Sequence, residues 1–139
     1  MTKSEFEFLR DLSGKEIKDD IVFRTKNATT LSFDEVPVLN SLGLDLAVNG
    51  SFVPDIPAVK FNFYVRGIGP ICRVEVNSTI HGQAGRTHKH ALQTESCPRR
   101  NLPHADARPD LENKTAKEVW EIVCKQAKIS HIGIFNDPK

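Results

Sequence analysis

Residues 58–76 read AVKFNFYVRGIGPICRVEV, and their pattern decides the fold class. Val59, Phe61, Phe63 and Val65 alternate with Lys60, Asn62 and Tyr64, the two-residue period of a strand with one dry face. Gly67, Gly69 and Pro70 break the run. Alternation then resumes, with Cys72, Val74 and Val76 on one side and Ile71, Arg73 and Glu75 on the other.

Working outward, DIVFRT and TTLSF (residues 20–25 and 29–33) flank Lys26-Asn27-Ala28 and read as a hairpin. In GLDLAVNGS, Leu44, Leu46 and Val48 share a face, and the pair Asn49-Gly50 predicts a turn at the end. STIHG (78–82) finishes a strand, residues 82–86 form a loop, and THKHALQT (87–94) runs back as its partner. Cys97 to Pro109 has no periodicity and reads as loop. Near the N-terminus, Ser4 to Glu7 fits a capping box, followed by Phe6, Leu9 and Leu12 on one helical face and a stop at Gly14. Thr115 to Glu118 is a second box. Ala116, Val119, Trp120, Val123 and Ala127 then keep helical spacing, so this helix should cover the sheet with Trp120 as its main anchor. The expectation is one α+β domain over residues 1–139: a mostly antiparallel sheet of about five or six strands with helices near both chain ends.

Composition narrows the function classes. Eight phenylalanines and 39% hydrophobic residues belong to a globular protein. No apolar run approaches the roughly 18 residues of a membrane span, and the first 14 residues carry no stretch of signal-peptide type, so a cytoplasmic protein without membrane contact is expected. Cys72, Cys97 and Cys124 show no Cys-x-x-Cys spacing, which argues against a disulfide framework or a zinc knuckle. Residues 1–58 hold six Lys/Arg against ten Asp/Glu, whereas residues 59–139 hold thirteen against eight and all five histidines. That asymmetry suggests an anion-facing side, unless the two charge types mix in space on folding.

The chemistry concentrates in residues 81–95, HGQAGRTHKHALQTE, with three histidines in ten positions. His88 and His90 are two apart and share a strand face, and a hairpin brings His81 across from them. Imidazoles near neutral pKa can serve as base and acid in metal-independent RNA cleavage. Arg86 is the expected fixed charge on the phosphate, completing a catalytic set of His81, His88, His90 and Arg86. Lys89, Arg99, Arg100 and Arg108 are candidates to bind the flanking RNA. No cofactor is needed on this reading. The alternative is a zinc or manganese site formed by His81, His88, His90 and Glu95. The bland reading is polar or hydrogen-bonded sheet histidines with no ligand.

The elements ICRVEVN, His81, His88-x-His90 and AKEVWEIVCKQAKI, over residues 71–130, resemble a group of small bacterial proteins with His-loop-His-x-His before a tryptophan-bearing helix. The resemblance implies a compact intracellular module of bacterial or phage type and of toxin or defence-related character; on the toxin reading, a protein partner such as an antitoxin is expected. Gly82, His88-x-His90 and Glu95 also match the first half of the cupin motif, but Leu102 stands where the motif needs glycine. A non-enzymatic inhibitor of a phage or bacterial conflict system is the third reading, with Asp19, Asp20, Asp34 and Glu35 mimicking a charged ligand.

Overall fold

The computed structural model of the chain describes residues 2–77, 88–91 and 104–138. The fold is α+β with helices near both ends. Helix α1 (Lys3–Asp11) leads into β1 (Lys15–Ile17), β2 (Arg24–Thr25), β3 (Leu31–Val38), β4 (Leu46–Val53), β5 (Ala58–Val65), β6 (Gly69–Val76), β7 (His88–Ala91) and β8 (His104–Ala107). A single 3-10 turn (Pro109–Leu111), helix α2 (Ala116–Gln126) and β9 (Ile129–His131) complete the order. Strands β2 to β8 form one seven-stranded antiparallel sheet in chain order, and β1 pairs with β9 in a separate parallel pair. Among the described residues, no helix is long and apolar enough to cross a membrane.

Three local expectations differ from what forms. The sequence offers two overlapping capping boxes, and the earlier one is used. Thr2 Oγ1 accepts from the Glu5 amide at 3.1 Å and Glu5 Oε2 accepts from the Thr2 amide at 2.8 Å, which brings two more residues under the helix cap. Asn49-Gly50 is not a turn, because β4 continues through it to Val53 and the chain reverses at residues 54–57. Gly50 is there for space: a Cβ on it would press on Phe33 Cε1 and lie 2.8 Å from Phe33 Cζ and 3.0 Å from the Lys60 carbonyl. The Cys97–Pro109 stretch contains strand β8, whose pairing with β7 supplies backbone bonds that side-chain periodicity did not announce.

Helix α2 starts at the expected Thr115–Glu118 box and buries Ala116, Val119, Trp120 and Val123. Trp120 is 2% exposed and stacks on Phe63 (centroids 5.9 Å) and Phe135 (5.4 Å), with Phe61 edge-on at 5.0 Å. Burying an aromatic side chain of this size contributes roughly 2–3 kcal/mol, with a further fraction of that from ring geometry. Its indole N–H is satisfied by His131 Nδ1 at 3.0 Å. That bond fixes the imidazole tautomer, leaving Nε2–H to donate to the Asp19 carbonyl at 2.9 Å. One histidine thus ties α2, β9 and the chain after β1 together.

Lys15 is 1% exposed, and its Nζ donates to the Leu9 and Arg10 carbonyls at 2.6 Å each, closing the end of α1. Burial pulls its pKa down from 10.5 to about 8.

Two outcomes are expected. Gly50→Ala should lower stability by about 1–3 kcal/mol in urea unfolding, and Phe33→Leu in the same chain should cost less than the sum of the two changes. Between the folded and ordinary pKa values of Lys15, the unfolded chain binds the extra proton, so this residue's contribution to stability rises with pH. Cys124 works the other way above pH 9, because burial holds its thiol protonated in the fold. The difference in stability between the native chain and Lys15→Met isolates the lysine. It should rise by on the order of 3 kcal/mol between pH 8 and 10.5, and a flat difference would show that the amine is not desolvated.

Candidate functional site

The alternation that sends Val59, Phe61 and Phe63 into the core sends Lys60, Asn62 and Tyr64 to the other face of the sheet. The strand registers align these residues with polar neighbours in two transverse rows. One runs Ser51, Lys60, Glu75, His88 and Ala107. The next runs Asn49, Asn62, Arg73, His90 and Ala105. Directly opposed residues of an antiparallel pair lie about 4.5–5.5 Å apart, so each row is a contiguous strip.

Glu75 is the electrostatic centre of the strips. Its side chain is 2% exposed, with Lys60 Nζ at 3.2 Å and Arg73 Nη2 at 3.4 Å. A carboxylate removed from water keeps its charge only beside such partners. Two cations thus share this one anion among the described residues. Tyr64 lies one repeat further along β5. Burial first, and then its hydroxyl bond to Glu35, push its pKa up to about 12, so it remains a neutral donor at physiological pH.

Beside Tyr64 the sheet carries a cleft of about 350 Å³ lined by Asn62, Tyr64, Val65, Gly67, Ile68, Gly69 and Pro70. Among the described residues, the buried side-chain polar atoms with no hydrogen-bond partner are Asn62 Oδ1 and Arg73 Nε, which belong to cross-strand partners in the second row. Each such atom costs roughly 1–3 kcal/mol, so among the described residues the fold tolerates unmet polarity in this row, whose Asn62 borders the cleft.

Of the residues singled out in the sequence, His88 and His90 fall in adjacent rows, opposite Glu75 and Arg73. Lys89 registers between Val74 and Asp106. Arg108 is turned to structure: its Nε and Nη2 donate to Asp110 Oδ1 and Oδ2 at 2.9 and 2.7 Å, which occupies the guanidinium fork. His81, Arg86, Glu95, Arg99 and Arg100, and the loop at 82–86, lie outside the described residues. Among the described residues, no group of three His, Cys, Asp or Glu is close enough to hold a metal.

Two of the acidic side chains singled out in the sequence have fixed partners. Asp20 Oδ1 accepts from the Ile134 amide at 2.8 Å, and Glu35 accepts from Arg66 Nε at 3.2 Å. Asp19 is bonded through its backbone carbonyl, which accepts from His131, while its side chain and that of Asp34 belong to exposed residues. Lys60, Asn62, Arg73 and Glu75 are the site residues that motif reading passes over. Their signal is the polar half of the alternation in residues 58–76, which becomes a site only once the register is known.

No protein-family description matches the chain, and no curated protein or solved structure is similar to it.

Stripping both cations from Glu75 tests the electrostatic centre. Lys60→Met with Arg73→Met should cost roughly 3 kcal/mol in urea unfolding. Adding Glu75→Gln should restore most of it, and failure to restore would mean that the cations do not stabilise the carboxylate.

Proposed function

We propose that the protein cleaves RNA by metal-independent acid–base catalysis on the polar face of the sheet, as small toxin-like ribonucleases do. The observation that carries this reading is the β6–β7 register, with His88 opposite Glu75 and His90 opposite Arg73. RNA transesterification needs a base, an acid and fixed positive charge on one phosphate. One imidazole takes the 2′-hydroxyl proton as the 2′-oxygen attacks phosphorus. The P–O5′ bond breaks, and the other imidazole, in its protonated form, delivers a proton to the leaving oxygen. The products are a 2′,3′-cyclic phosphate and a 5′-hydroxyl, and no water or metal enters the balance. Arg73 and Lys60 take the phosphate-binding role first assigned to Arg86, with Arg73 suited to spread charge over two non-bridging oxygens. Glu75 is a positioning residue: a carboxylate next to an imidazole favours its protonated form and fixes its orientation.

The test is cleavage of a single-stranded RNA in EDTA. His88→Ala and His90→Ala should each abolish cleavage with the circular dichroism spectrum intact, and Arg73→Gln should lower kcat by about a hundredfold. Products ending in 2′,3′-cyclic phosphate are expected. Activity lost in EDTA and regained with zinc or manganese would replace this reading with a metal site.

A further inference from the structure

We propose that the cleft beside Tyr64 binds the base of the nucleotide adjoining the phosphate held on the histidine rows, and that this cleft sets which base the protein accepts. The inference rests on the reading that the polar face takes RNA. Position comes first. Tyr64 follows Asn62 by two residues on β5, and Asn62 shares its row with Arg73 and His90. Same-face neighbours along a strand are about 6.5 Å apart, a step that one nucleotide bridges, so a phosphate at the rows leaves its base at the cleft.

Size and lining come next. About 350 Å³ is within the range of small-molecule sites, which are mainly apolar with a few polar groups that fix orientation. Val65, Ile68 and Pro70 supply the apolar wall, Tyr64 an aromatic ring and Asn62 an amide. Gly67 and Gly69 line the cleft without side chains, and Gly67 has a φ of +75°, which favours glycine. Single-stranded RNA is read in this way, by stacking on aromatic rings and hydrogen bonds to base edges.

Unmet polarity is the third observation. Asn62 borders the cleft, and its buried Oδ1 has no partner. Rotation of the amide about χ2 exchanges its acceptor and donor ends. A nucleobase edge carries both kinds of group, so it can satisfy an amide that the protein leaves half unused. A purely apolar guest would leave that cost in place, and a bare phosphate would not fill the apolar wall.

Tyr64 is the sole tyrosine of the chain, so it provides a site-specific probe. The full-length chain labelled with 3-fluorotyrosine gives one fluorine resonance, to be titrated with the four nucleoside 3′-monophosphates, ribose 5-phosphate and inorganic phosphate. At least one nucleotide should shift the resonance saturably, while the two base-free compounds should not. Asn62→Leu should weaken that binding about tenfold or more. Ile68→Glu, at a half-exposed rim position, should do the same without touching the core. No shift with any nucleotide, or an equal shift with ribose 5-phosphate, overturns the proposal. A nucleotide shift in a chain that cleaves no RNA leaves the cleft standing and removes the cleavage reading. Cleavage without any nucleotide shift does the reverse.

Discussion

The packing of Trp120 against one face of the sheet is the constraint on which the rest depends. Phe61 and Phe63 meet the indole from β5, Phe33 approaches it from β3, and Phe135 closes the cluster from the C-terminal segment. A strand has only two faces, so committing Val59, Phe61, Phe63 and Val65 to α2 commits Lys60, Asn62 and Tyr64 to the reverse side. A slip of one residue in β5 would put an ammonium group against the tryptophan. The same aromatic contact that forms the core therefore fixes which residues reach the candidate site. Gly50 belongs to this constraint, because its missing side chain admits the Phe33 ring between β4 and the rest of the cluster.

The polar face carries a group that packing alone would not select. A carboxylate as buried as Glu75 is costly, and an apolar residue of similar volume in its place is often neutral or stabilising. Its position between Lys60 and Arg73, and across from the register position of His88, gives a reason for its presence. It holds two cations in a defined geometry while neutralising only one. The proposed phosphodiester chemistry would use fixed positive charge of this kind beside a proton carrier.

Much of the fold was legible in the sequence because it follows from single-segment periodicity. The alternation in residues 58–76 and the helical spacing from Ala116 to Ala127 both became the expected elements. The misreadings came where local signals conflict with long-range partners. Asn49-Gly50 is a turn pair by local chemistry, yet Phe33, from another strand, needs that glycine inside β4. Strand β8 has weak periodicity and exists through its ladder with β7. The candidate site was half legible for the same reason. His88-x-His90 is a local pattern, whereas Glu75, Arg73 and Lys60 join it only through pairings between strands.

The charge asymmetry along the chain resolves in two ways at once. At the β3–β5 end, acidic and basic halves mix: Arg66 reaches both Glu35 and Asp45, one cation against two carboxylates. Exposed pairs of this kind contribute little to stability. On the rows through β5 and β6 the balance is reversed among the described residues: Glu75 is the one acid, set between Lys60 and Arg73. Those two strands belong to the basic half of the sequence, and their registers, not their composition, concentrate its surplus. On the proposed function, an anion would meet Lys60 and Arg73 where the histidine register begins, and this would link the charge pattern of the chain to the chemistry proposed for it.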